Sequence, residues 1–266
     1  MNHHTVLNKL AALSAPALLA MSLSAYAAPD WDIVGIRLGM NVTQARAAIS
    51  AHAPKAQTTD YARRFAYSDG VKQLQAPEFL SSVTAQTQNP NNTSETIEVM
   101  FSAPPMEQRV IRVIRTLALH GDPISMERAS ASVLQKYGKP QRSFDASGRG
   151  AILRWNESGK PVCGDTSPTA AEARLAPSVD NSPSGLGFYD VWKRRKLAPA
   201  DASNCGAALV AQLVTFVGQS SVNEMKFTMS DPGYAVPAMQ ATAKQIAEME
   251  NKARGIRQQS GSVPKL

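Results

Sequence analysis

The sequence predicts an α+β protein built from two helix-plus-strands modules and a long C-terminal helix. Three observations predict it. Two capped amphipathic helix patterns open near residues 41 and 125, and each is followed by runs with strand character. A single apolar stripe at helical spacing then runs through 237–258.

In chain order, the N-terminus is read first as a targeting segment. Lys9 supplies a positive charge, residues 10–23 (LAALSAPALLAMSL) form an apolar core, and Ala25-Tyr26-Ala27 has the small-x-small form of a cleavage site. This is the pattern of a cleavable secretory signal peptide over 1–27, so Ala28 is expected to begin the mature chain. The apolar run is too short to cross ~30 Å of hydrocarbon, and Pro16 interrupts it. No Cys follows the cleavage site, so no lipid anchor is expected there.

The first module is assigned to 28–120. Trp31, Ile33, Val34, Ile36 and Leu38 make a short strand-like run ending at Gly39. Asn41 is a good N-cap, and Gln44 three residues on completes a capping box. Val42, Ala45, Ile49 and Ala53 share one helical face before Pro54. Strands are expected at 83–88 and 95–103, where Ile97, Val99 and Phe101 alternate with Glu98 and Met100. QRVIRVIRTLAL (108–119) fits both periods, and its β-branched residues favour a strand.

The second module is assigned to 121–258. Ser125 caps a helix whose face is Met126, Ala129, Val133 and Tyr137, with Gly138 as C-cap and Pro140 beyond it. Its likeness to the first helix suggests an internal repeat of helix followed by strands. AILRWNESGKPVC (151–163) reads as a hairpin about Asn156–Gly159. Residues 164–186 read as a long surface loop, followed by GFYDVW (187–192). AALVAQLVTFV (207–217) and VNEMKFTMSD (222–231) read as strands, the second with Met225, Phe227 and Met229 on one face. The last helix is expected from about Pro237 to Gln258, with Met239, Ala243, Ile246, Met249, Ala253 and Ile256 in one stripe packed on the protein's own sheet. Residues 259–266 are expected to be a disordered tail.

The chain has two cysteines, Cys163 and Cys205. In an exported protein such a pair predicts one disulfide, here closing the loop 164–204 and worth about 4 kcal/mol by chain entropy. His52 and His120 are the only histidines after the signal peptide, and neither lies at zinc-ligand spacing from a Cys, so no metal site is expected.

The net charge of +7 favours solubility and attraction to anionic surfaces. Too few aromatics accompany it for base stacking, so nucleic acid is not an expected partner. The run Trp192, Lys193, Arg194, Arg195 and Lys196 is a candidate patch for an anionic membrane surface, or else a solvated strand end.

Glycines at 35 and 39 do not form the G-x-G-x-x-G fingerprint, and no G-x-S-x-G elbow or H-E-x-x-H is present. No cofactor and no catalytic residue are assigned. His120, beside Asp122, is the best available base, and a hydrolase using it is the alternative reading.

The Leu-Gly-Met-Asn turn into a helix (38–41), and the later helix ending Lys-Tyr-Gly-Lys-Pro (136–140) before the strand bearing Trp155, resemble a known module. It is the helix-then-hairpin unit of the SmpA/OmlA outer-membrane assembly lipoproteins and the tandem β-lactamase inhibitory proteins. The resemblance covers 31–54 and 95–160. It implies an antiparallel sheet with short helices on one face and a function of binding proteins without chemistry. The expectation is an exported, periplasmic, non-catalytic binding or adaptor protein of the bacterial cell envelope, partnered by another envelope protein.

Overall fold

The computed structural model describes residues 30–88, 92–119, 124–146, 149–161, 204–216 and 219–260. The signal segment, His120, Cys163, the loop through 164–203 and the basic run Trp192–Lys196 lie outside the described residues.

The fold is α+β, as the sequence predicts. The first half consists of α1 (Val42–His52) followed by β1 (Gln57–Arg63), β2 (Ala66–Ser68), β3 (Gln73–Gln75), β4 (Phe79–Gln88), β5 (Ser94–Phe101) and β6 (Val110–Ala118). The second consists of β7 (Ile124–Ser125), α2 (Met126–Tyr137), β8 (Arg142–Asp145), β9 (Gly150–Asn156), β10 (Ala208–Thr215) and β11 (Ser221–Ser230). The long helix α3 (Pro232–Ser260) closes the described chain.

All pairings are antiparallel, and the strand order is β1-β4-β5-β6-β11-β10-β9-β8. Each half contributes a four-stranded meander, and the last strands of the two meanders, β6 and β11, meet at the centre. Their register, 112–118 against 224–230, is centred on Arg115 and Phe227. The halves also start alike. The N-cap Asn41 bridges Arg109 at the entrance to β6, and the N-cap Ser125 pairs with Ser221 at the entrance to β11. Exchanging the halves about the Arg115–Phe227 pair therefore carries the sheet order onto itself. The β2–β3 hairpin is an insertion in the first half alone.

Local chemistry explains the helices. Asn41 accepts from Gln44 N at 2.9 Å while Gln44 Oε1 accepts from Asn41 N at 3.0 Å, so two otherwise orphaned donors are satisfied reciprocally. Ala45 and Ile49 are the buried face of α1, and Ala129 and Val133 that of α2. Ser125 caps α2 at Arg128 N, and Gly138 follows with φ +74°. Ahead of α1, a two-residue turn joins Ile33 and Ile36, with Val34 at φ +50° and Gly35 at φ +82°. A β-branched residue is disfavoured there. Burial of Ile33 and Ile36 and the bond from Gly35 N to Asp32 Oδ1 hold the turn in place.

The core lies between α1, α2 and one face of the sheet. Val83, Ile97, Val99, Val113, Leu209 and Met229 are at its centre. Met225, Phe227 and Met229 line that face together, as their alternation predicts. The Tyr137 ring packs at a tilt against Trp155 and Phe227, and its hydroxyl donates to Asp32 O at 2.9 Å. Burial, with the nearby Asp32 carboxylate, pushes its phenol well above the usual pKa.

Several boundaries differ from expectation. The described part of the expected hairpin, 151–161, does not pair with itself: the strand ends at Asn156, the chain turns at Gly159, and β9 pairs with β8 and β10 instead. Leu209 and Leu153 face the same core as Trp155, so burial is gained by the distant pairing. Five strands, β1, β2, β3, β7 and β8, are additional to those expected. Finally, α3 begins five residues before Pro237 and runs to Ser260, so the first two residues of the expected tail are helical. Asp231 explains the early start. Its side chain accepts from Tyr234 N at 3.1 Å, its carbonyl accepts from Ala235 N, and Pro232 occupies the first helical position, where its missing N–H is harmless.

Candidate functional site

While α1 and α2 cover one face of the sheet, α3 lies across one end of the other. Ala235, Val236, Ala238 and Thr242 are its buried residues. The apolar stripe divides between two tasks. Met239, Ala243 and Ile246 face the ends of β4, β5 and β6, and Met249, Ala253 and Ile256 face Tyr67 and Leu74 of the β2–β3 hairpin.

Between α3 and the sheet is a cavity of about 340 Å³. Its walls are Phe65, Phe79, Met100 and Ile111 on the sheet side and Met239 and Ile246 on the helix side. Two irregularities in the sheet make room for it. The registers of β1 with β4 and of β5 with β6 shift at Tyr61/Ala62 and Met100/Phe101, leaving Ser81 and Ile111 as extra residues that turn toward α3. Phe65 and Phe79 stack at 5.0 Å and form one wall.

The polar atoms in the lining are already committed to structure. Ser81 Oγ donates to Tyr61 O at 2.8 Å and Ser102 Oγ donates to Glu107 O at 2.9 Å. Thr242 Oγ1 lies 2.6 Å from Pro104 O and 2.9 Å from Ala238 O. Arg63, half-buried at the end of the edge strand β1, is the one charged side chain in the lining among the described residues. Among the described residues, no His, Cys, Asp or Glu lines the cavity. General acid–base and nucleophilic chemistry use such groups within hydrogen-bond reach of the reacting atoms.

Beside the cavity, Arg112 pairs across the sheet with Met100 and Ser230 and is 7% exposed. Its Nε has no hydrogen-bond partner. Burial pulls its guanidinium down to about 10, against the opposing pull of the Glu98 carboxylate. The positive charge it retains at neutral pH adds to that of Arg63 at this end of the sheet.

A second cluster lies on the helix face, over the centre of the sheet. His52, at the C-terminal end of α1, sits with Nε2 3.0 Å from both carboxylate oxygens of Glu95. Arg115 Nε donates to the same carboxylate, and its guanidinium lies 5.8 Å from the Phe227 ring centroid. A histidine oriented by a carboxylate supplies two of the three members of a hydrolytic triad. No hydroxyl or thiol is hydrogen-bonded to His52 among the described residues. The cluster ties α1 to β5 and β6 at the junction of the two halves.

Of the residues singled out in the sequence, Cys205 is buried at 3% exposure, and there is no free cysteine among the described residues. His120, Cys163 and the patch Trp192, Lys193, Arg194, Arg195 and Lys196 lie outside them. Sequence reasoning missed the cavity, because its walls come from three distant stretches, 63–81, 100–111 and 235–246. The available signal was the stripe on α3, which marks a face needing cover. No group of three or more His, Cys, Asp or Glu that could hold a metal occurs among the described residues. No described helix is long and apolar enough to cross a membrane.

No family model, no curated protein and no solved structure matches this chain.

Proposed function

We propose that this chain is an exported, non-catalytic binding protein of the bacterial cell envelope, with the cavity beneath α3 as its ligand site. The observation that carries the reading is the lining of that cavity. It is mostly apolar and large enough for a small molecule, and among the described residues no His, Cys, Asp or Glu lines it. Export rests on the N-terminal sequence: Lys9, the apolar run 10–23 and the Ala25-Tyr26-Ala27 site. The resemblance of the two helix-and-strand segments to the SmpA/OmlA and β-lactamase-inhibitory modules likewise implies binding without chemistry, with another envelope protein as the partner.

The test joins fractionation to a thermal shift. The chain should be recovered from the periplasm with Ala28 as its N-terminus. An organic extract of the envelope should raise its Tm, and the extract component responsible should be recovered chemically unchanged after prolonged incubation. A cytoplasmic chain with an intact N-terminus, or a component consumed by the protein, would overturn the proposal.

A further inference from the structure

We infer that the cavity takes the acyl chain of a single fatty-acid anion, with Arg63 holding the carboxylate. The inference rests on the reading that this cavity is a ligand site, and it adds the class of ligand.

Volume sets the first bound. The cavity, about 340 Å³, is a little over twice the ~150 Å³ apolar cavity that accommodates benzene. At about 30 Å³ for each water- or methylene-sized unit, it accepts roughly a dozen heavy atoms. Chemistry sets the second. A sugar or nucleotide would bring many polar groups to walls made of Phe65, Phe79, Met100, Ile111, Met239 and Ile246, and each unpaired group would cost several kcal/mol. An unbranched hydrocarbon asks for no hydrogen bonds. The thioethers of Met100 and Met239, flexible and polarizable, adapt to a chain of variable length.

Charge sets the third. The hydroxyls of Ser81, Ser102 and Thr242 sit against backbone carbonyls, so they offer a headgroup little. Among the described residues, Arg63 is the charged side chain in the lining and no acidic side chain lines the cavity. Arg63 stands half-buried at the sheet edge, which places a headgroup near water and the chain inward. A guanidinium at the rim of an apolar cavity is complementary to a carboxylate on a hydrocarbon chain.

The test uses the delipidated mature chain, titrated calorimetrically with dodecanoate and separately with dodecanol, each below its aggregation threshold. One dodecanoate per chain is expected. Arg63→Gln should weaken dodecanoate about tenfold and leave dodecanol unchanged. Ala243→Phe, which fills the cavity from α3, should abolish both. Met100→Trp fills it from the sheet and serves if the first filling variant fails to fold, as judged by circular dichroism. The inference is overturned if dodecanoate gives neither heat nor a Tm shift, if Arg63→Gln binds it as well as the parent, or if the folded filling variants still bind. Should dodecanoate fail while the envelope extract still raises Tm, the fatty-acid assignment falls and the binding reading stands. Should neither raise Tm, both fall.

Discussion

Replacing Arg112 with Met is expected to make the protein more stable. Arg112 sits in β6 between Met100 of β5 and Ser230 of β11, 7% exposed, with Nε unpaired. Burial lowers its pKa from 12.5 to about 10. A fall of that size corresponds to about 3 kcal/mol against the charged form. The unpaired buried N–H gives an overlapping figure of roughly 1–3 kcal/mol. The two describe the same penalty and do not add. Met keeps most of the apolar stem that packs beside Met100 and discards the charge. The expected gain is therefore about 1–3 kcal/mol, or several degrees in Tm for a chain of this size. Urea unfolding should show a higher midpoint with an unchanged m value. Arg112→Lys, which keeps a charge, should show no gain. The sign with pH follows from a depressed base. The penalty is present while the guanidinium is protonated in the folded state, and it fades as pH rises through about 10. The gain should thus be full at pH 7 and shrink in strong alkali. A lower urea midpoint for Arg112→Met, or equal midpoints for the Met and Lys variants, would refute the reasoning, because the guanidinium would then have a partner that stabilises it.

Four further outcomes follow from particular contacts. Asn41→Ala removes the capping box of α1 and should lower stability by about 1 kcal/mol in denaturant titration. Gly150→Ala should fail to give a cooperative unfolding transition. Gly150 holds φ +129°, and a Cβ there would lie 1.8 Å from Leu213 O, a clash that breaks the β9–β10 pairing. Asp231→Asn keeps the α3 cap and removes a carboxyl whose pKa is raised, chiefly by burial and also by Glu157. An acid with a raised folded pKa binds its proton more tightly in the native state, so parent stability declines as pH rises through that pKa. The Asn variant should lack this decline in thermal melts across the acid range and be at least as stable at pH 7. We also propose a Cys163–Cys205 bridge. Mass spectrometry of exported protein alkylated without reductant should find neither thiol labelled, and one labelled thiol in the native protein would exclude the bridge.

Much of the fold was legible because its signals are local. The caps at Asn41 and Ser125 need only a few neighbouring residues to be recognised. The alternation of Ile97, Val99 and Phe101, and of Met225, Phe227 and Met229, is imposed by one buried face and reads directly from the chain. By contrast, β1 lies at a sheet edge and is exposed along nearly its whole length, so it has no alternation to read. β8 is only four residues long and mostly exposed. The partner of β9 could not be read from spacing, since β10 lies beyond the long intervening segment. Pro232 and Pro237 look like breakers, and they hide the start of α3 until Asp231 is seen capping it.

The candidate site was less legible for the same reason. The stripe Met239, Ala243 and Ile246 is visible in the sequence, but what it faces is decided by two bulges and a stacked Phe pair far away in the chain. Likewise His52, Glu95 and Arg115 come from three elements, and no spacing rule links them.

The most direct test of the ligand site beneath α3 is native mass spectrometry of the chain purified from the periplasm without detergent. The account predicts that the parent carries a non-covalent small molecule, released on denaturation, and that the folded Ala243→Phe variant is bare. Bare polypeptide in both, or equal loading of both, would contradict it.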